Sequence, residues 1–373
     1  MDDPLDRARR VADEVLFPDA DAVDRTGVVP ERHWAALARA GLYGLAVRED
    51  VPPPVFHEVV ELLVGGCLST GFTWLQHHSA LRALDATANA GLRSRYLDDA
   101  AAGRVRGGVV LAGALADPPR LRAERVDGGW SFTGDGPFVS GWGIVDVLRV
   151  SGIASGSGAD SGSGAESGSG ADGGSAVHVL VGAREAAGLA ATPLDLVAAR
   201  ATRTVRLVFD GFRVGDEAVL SVGGAAGFRG GQAPGARVNG AIALGVARRC
   251  ARQLDELGEP GAAAGIRAQV DRVRADLDAA ADDYPGVLAV RARGAALAHR
   301  AAGAVVVAEG GRGITAGGHG ARLLREAAFA MVAAGRPALR SALLADLSGA
   351  GAQAAAPNAS TTCAEVSGRE NIG

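Results

Sequence analysis

The sequence contains no lysine, so all 38 of its basic residues are arginine. That absence excludes a Schiff-base mechanism and a phosphate loop of the Walker type, both of which need a side-chain amine. Cysteine is scarce as well: Cys67, Cys250 and Cys363 lie far apart and form neither a CxxC pair nor a Cys/His ligand spacing. This usage suits a reducing compartment and predicts no metal site, structural zinc included. No apolar run approaches the ~18 residues that a membrane span needs, and the opening MDDPLDRARR is charged rather than apolar. A cytoplasmic protein with no membrane partner is expected. The net charge of -4 offers nothing basic enough to follow a phosphate backbone, so no nucleic-acid partner is expected either.

What is present is 373 residues with 48% hydrophobic content, enough for two or three subdomains. Residues 1–108 read as an N-terminal helical domain. Ala8, Val11, Ala12, Val15 and Leu16 recur at helical spacing, and a second helix opens at Pro30 and stops at Gly41. A third is expected over about 55–63, and a fourth over 69–84 with Ser69 or Thr70 as its N-cap. Residues 109–220 change to short β-runs separated by Gly, Pro and Asp, the pattern of a barrel or sandwich. Within them, 151–176 is a Gly/Ser/Ala repeat with single acids, expected to be a disordered insertion. Helical periodicity returns over 236–348 in four segments, the last running from Ala321 to Leu347, and predicts a four-helix bundle. Residues 349–373 carry no pattern and are expected to be a disordered tail. The fold class is therefore mainly α with a central β-domain.

The chemistry concentrates in Ser131 to Val150. Asp127-Gly128 signals a hairpin turn, and small residues then interleave with Phe132, Phe138 and Val139, so one face can pack while the other receives a planar ring. The run Val126-Asp-Gly-Gly-Trp-Ser-Phe-Thr-Gly134, Phe138-Val-Ser-Gly141 and Asp146-Val-Leu resembles the middle β-domain of the acyl-CoA dehydrogenase superfamily. Further similar pieces are Ser94-Arg-Tyr-Leu97, Thr204 to Asp210, and Arg322-Leu-Leu-Arg-Glu326. The resemblance covers about residues 5 to 347 and implies an FAD cofactor, a small-molecule substrate of the acyl-CoA type, and a homodimer or homotetramer. It also implies that Phe138 packs on the flavin, that Ser140 hydrogen-bonds it with Gly141 beside it, and that Gly310 and Gly311 hold the dinucleotide.

Two departures qualify the implied reaction. The family's catalytic glutamate corresponds to Ala334, and no Asp or Glu occurs over 218–254 or 327–345, where the family's two base positions fall. A carboxylate base is worth about two to four orders of magnitude in rate. The flavin loop corresponds to Leu111 to Pro119, without its hydroxyl and Gly-Ser. The same superfamily contains monooxygenases that take reduced FMN or FAD from a separate flavin reductase. Phe138-Val-Ser140-Gly141 fits their pattern equally, and His77 matches their helix-borne histidine as a catalytic candidate beside Ser140. A non-catalytic paralogue serving assembly is the third alternative. Plain structural roles stand beside these: His77 and His78 as satisfied helix residues, Ser140 as a turn hydroxyl, and Gly310 and Gly311 as a helix end. Arg322, Arg325 and Glu326 would then be an ion-pair network.

Overall fold

The computed structural model describes residues 3–155 and 174–348. Helix α1 (Pro4–Arg10) is capped by Asp3, whose carboxylate accepts from the Leu5 N–H, and runs through a π-helical stretch (Val11–Leu16) into α2 (Phe17–Thr26). Then come α3 (Glu31–Arg39), α4 (Pro53–Gly66), α5 (Leu68–Ala86) and α6 (Ala90–Ala101). The expected cap at Ser69 or Thr70 is not one: α5 already starts at Leu68, and both hydroxyl residues are buried inside its first turn.

The strands are β1 (Gly107–Val110), β2 (Leu121–Val126), β3 (Gly129–Val139), β4 (Val147–Ala154), β5 (Ser175–Gly182), β6 (Leu189–Pro193), β7 (Val205–Gly215) and β8 (Val219–Gly224). They form one sheet in the order β6-β7-β3-β2-β4-β5-β8, with β1 parallel to β4. The Asp127-Gly128 turn joins β2 to β3 as expected, with Val126 opposite Gly129. Strand pairing runs to Ala154 opposite Ser175, so both ends of the 151–176 stretch belong to the β4–β5 ladder. The remainder of that insertion and the tail expected at 349–373 lie outside the described residues.

The C-terminal part comprises α7 (Ala225–Gly230), α8 (Ala233–Glu256), α9 (Pro260–Ala279), α10 (Tyr284–Glu309), α11 (His319–Val332) and α12 (Pro337–Ser348). The segment expected as one helix from Ala321 to Leu347 is two. Ala334 takes φ +49, and Pro337 cannot continue the preceding helix.

The N-terminal helices and the bundle share a single apolar core. At its centre α4 crosses α8 through glycine: a Cβ on Gly245 would lie 2.6 Å from the Glu61 carbonyl, and one on Gly65 2.8 Å from the Gly245 carbonyl. Buried charges flank the crossing. Glu61, fully buried, accepts from Arg274 at 3.0 and 2.6 Å, and Arg249 donates to the Gly65 carbonyl and to Asp13, both at 2.7 Å. The expected network at the other end of the bundle is present: Arg322 pairs with Glu326 at 2.9 Å and with Asp21, and Arg325 pairs with Asp24. Replacing Gly245 by alanine must push backbone against backbone, so Gly245→Ala is expected to cost about 2–4 kcal/mol of unfolding free energy in denaturant titration. A loss below about 0.5 kcal/mol, the usual scatter of surface changes, would mean that the crossing is not tight.

Candidate functional site

The ladder between β3 and β7 slips between Gly136 and Val139, where Pro137 has no N–H to donate. The slip ejects Phe138. It adopts φ +54 and is 70% exposed, whereas Val139 and Ser140 on either side of the next two bonds are buried. A bulky residue in the left-handed region costs about 1–3 kcal/mol, and such strain persists where the surrounding structure dictates it. Here the ladder resumes at Val139 opposite Val205 and holds the ring outward.

Ser140 heads a chain of hydroxyls. Its Oγ is 2.8 Å from Thr204 Oγ1, which is 2.7 Å from Thr202 Oγ1, and Thr202 donates to the Ala199 carbonyl at 2.8 Å. Each hydroxyl has one hydrogen, so the direction is set from the far end. Thr202 gives its hydrogen to Ala199, Thr204 gives its own to Thr202, and Ser140 gives its own to Thr204. Ser140 Oγ is then left with lone pairs only. Gly141 follows at φ +93 and donates to the Thr202 carbonyl at 2.7 Å. A Cβ on it would meet Val145 at 2.8 Å and Thr73 of α5 at 3.6 Å, which is where the helical domain abuts the segment.

His77 lies one turn beyond Thr73. Its Nδ1 accepts from the Gly107 N–H at 3.0 Å, so a neutral ring carries its proton on Nε2. Burial pushes its pKa down to about 4, against the opposing Tyr43 and Ala100 carbonyls. The geometry makes His77 a fixed neutral group that ties α5 to β1, with its acceptor nitrogen already used. His78 donates from Nδ1 to the Trp74 carbonyl at 3.1 Å and is also buried.

The 111–119 loop meets the connection between α11 and α12. Arg120 N–H and Leu121 N–H both bond to the Gly113 carbonyl, which seats the 111–119 loop against the start of β2. Arg336, just past α11, donates to the Leu115 carbonyl of that loop at 3.2 Å. Arg291 from α10 donates to the Ala333 carbonyl at 3.0 Å. Ala334, between them, is exposed and carries no ionisable group. Gly310 and Gly311 stand at the C-terminal end of α10, with open space beside both and their principal packing on α10 and α11. Thus Ser140 and Gly141 meet the α5–β1 side beside His77, Phe138 faces outward on the bulge, and the two glycines lie apart from them at the C-terminal end of α10. Thr202 and Thr204 were missed as site residues. They flank Arg203, whose φ of +48 turns the chain ahead of β7, so no strand period in the sequence marks them.

The helical domain, the central sheet with its bulged third strand and the C-terminal bundle together give the chain the fold of solved acyl-CoA dehydrogenases. Residues 3–104 match the family model for the acyl-CoA dehydrogenase N-terminal domain. Butyryl-CoA dehydrogenase from Megasphaera elsdenii superposes with a TM-score of 0.75 at 17% identity, covering 92% of this chain and 97% of that one. Glutaryl-CoA dehydrogenase from Mycobacterium smegmatis gives 0.74 at 19% identity, covering 93% and 94%. Dibenzothiophene monooxygenase from Paenibacillus sp. A11-2 gives 0.71 at 17% identity, covering 93% and 97%. At these identities the likeness is one of fold. No curated protein matches the sequence. No described helix is long and apolar enough to cross a membrane.

The buried histidines make stability depend on pH. Burial lowers His57, His77 and His178 to about 4 and holds His78 well below its ordinary value, whereas an unfolded histidine titrates near ~6.5. Between those values the unfolded chain binds more protons, so stability is complete above about pH 6.5 and falls as pH drops towards 4. Chemical denaturation at pH 7 and pH 5 is expected to differ by about 1–2 kcal/mol for each such histidine, and His77→Phe should flatten the slope. A flat profile across that window would show these rings to be protonated or open to solvent in the native state.

Proposed function

We propose that this chain is a flavin-dependent oxidoreductase acting on a small molecule, with the flavin held at the β3 bulge. The observation that carries the reading is Phe138, held out of the ladder at positive φ directly before a buried hydroxyl chain. A flat apolar ring and an adjacent polar acceptor fit a flavin, which presents a planar face and polar edge atoms. Phe138 would lie against the ring, Ser140 would bond its edge, and Gly141 would let the backbone approach. Bound flavin would supply the electron-transfer chemistry. FAD is the cofactor that the fold supports best, and the relatives named above include two acyl-CoA dehydrogenases, so an acyl thioester is the first substrate class to test.

One observation favours the second reading, a two-component monooxygenase using reduced FMN or FAD from a reductase. The hydroxyl chain leaves Ser140 as an acceptor, which matches a partner N–H better than a bare nitrogen lone pair. Reduced flavin carries an extra ring N–H, and oxidised flavin does not. The absence of a carboxylate at Ala334 points the same way, because proton abstraction from an acyl thioester needs a base. His77 would then act as a neutral donor and support of α5 rather than as a base. A homodimer or homotetramer is supported by Val307, Ile314, Val332, Leu344 and Leu347, exposed large hydrophobics of the segment from α10 to α12.

Flavin titrations followed by absorbance and fluorescence test both readings. Phe138→Ala is expected to weaken flavin binding about tenfold, the scale of one aromatic contact. Thr202→Val frees the chain to reverse and let Ser140 donate, so the preference for reduced over oxidised flavin should shrink several-fold in anaerobic titrations. No measurable binding of either redox form by the wild-type chain would end the proposal. An unchanged preference in Thr202→Val would remove the case for the reductase-fed reading.

A further inference from the structure

Most buried arginines at the domain junctions face an acid: Arg249 faces Asp13, Arg322 faces Asp21 and Glu326, and Arg237 faces Asp278. Arg149 on β4 is different. Among the described residues no carboxylate pairs with it; its one hydrogen bond goes from Nη1 to Ser79 Oγ of α5 at 3.1 Å, and its Nε is buried with no partner. Burial lowers its pKa and no charge opposes that shift, which marks a cation taken from water without compensation. The residue as a whole is only partly buried.

Its neighbours are donors as well. Arg149 and Ser151 are two apart on β4 and share a face, His178 lies directly across from Ser151, and Ser221 of β8 lies directly across from His178. Ser151 is fully buried, and among the described residues its hydroxyl pairs with His178 Nδ1 at 2.7 Å. A buried hydroxyl that donated to nothing would be costly, so Ser151 donates, and the proton of His178 sits on Nε2. Burial, reinforced by the Arg149 charge, pushes that imidazole down to about 4. The Phe228 ring of α7 packs on it at 4.9 Å and closes one side. The result is a guanidinium, an imidazole N–H and hydroxyls on one sheet face, with no acid among them.

We propose that Arg149, His178 and Ser79 form a binding site for a phosphate-type oxyanion, on the sheet face between α5 and α7. Donors arriving from a strand, its neighbour and a helix suit a tetrahedral anion with several acceptor oxygens better than a planar carboxylate. The anion is either free phosphate or the phosphate ester of a larger ligand. The site includes no residue of the Phe138–Gly141 segment, and it stands or falls separately from the flavin reading.

The test uses the full chain and inorganic phosphate, with thermal unfolding and calorimetry at constant ionic strength and chloride as the control. A saturable rise in melting temperature specific to phosphate is expected, since a ligand of the native state stabilises by mass action. Arg149→Met should weaken phosphate binding by at least about tenfold, and Arg149→Lys should recover only part of it. Should Arg149→Met not fold, Ser79→Ala is the substitute and should weaken binding several-fold. Coenzyme A displacing phosphate would assign the anion to a substrate phosphate, and failure to displace it would assign the site to the free ion; both support the site. A wild-type chain with no phosphate effect beyond that of chloride, or variants that bind as the wild type does, would overturn it.

Discussion

The close crossing of α4 and α8 is the constraint on which the other contacts depend. Two helices can approach this closely only where both lack side chains at the contact, and Gly65 and Gly245 supply that gap. The approach brings Glu61 under the bundle, where burial would make an isolated carboxylate costly; Arg274 offsets this with two hydrogen bonds. Without Arg274, Glu61 would remain buried with only Arg248, at 3.8 Å, near its carboxylate. The apolar core and the ion pairs therefore specify the same docking. The first sets how near the domains come, and the second sets their register.

That docking positions the site. Helix α5 is continuous with the α4 hairpin, so the placement of α4 on α8 also decides where Thr73 and His77 meet the sheet. The Gly107 N–H to His77 bond and the Thr73 contact beside Gly141 are the two points of registration. Against this fixed support the β3 bulge presents Phe138. Its strain is maintained by ladder on both sides, from Gly136 opposite Leu207 to Val139 opposite Val205. The Ser140–Thr204–Thr202 chain then gives the exposed ring a neighbouring polar atom of defined hydrogen-bonding sense. Neither feature involves a catalytic acid or base, and the chemistry proposed here rests on positioning and on the cofactor rather than on proton abstraction by the protein.

The order of domains was legible because period is a local property. Helical spacing from Ala8 to Leu16, β-runs such as Val177 to Val181 and the return to helical spacing after Arg237 all appear in the structure in that order. Boundaries were less legible. Gly and Ser composition assigned the ends of 151–176 to an insertion, yet pairing across β4 and β5 recruits Ser151 to Ala154 and Ser175 into the sheet, because a ladder supplies hydrogen bonds that composition does not register. The last bundle segment reads as a single helix by periodicity, and Ala334 with Pro337 breaks it. His77 stood out as a titratable residue on a helix, but its available nitrogen depends on the Gly107 N–H, a residue 30 positions away.

By itself the sequence determined the alternation of helical, β and helical domains, the turn at Asp127-Gly128 and the small-residue segment through Gly141. Each of these follows from spacing and from the backbone preferences of individual residues. Only the tertiary structure decided that Phe138 faces outward, that Ser140 is an acceptor, and that Arg149 has no acidic partner among the described residues. Those properties belong to pairs of groups far apart in the chain, and they come into being when strands register and helices dock.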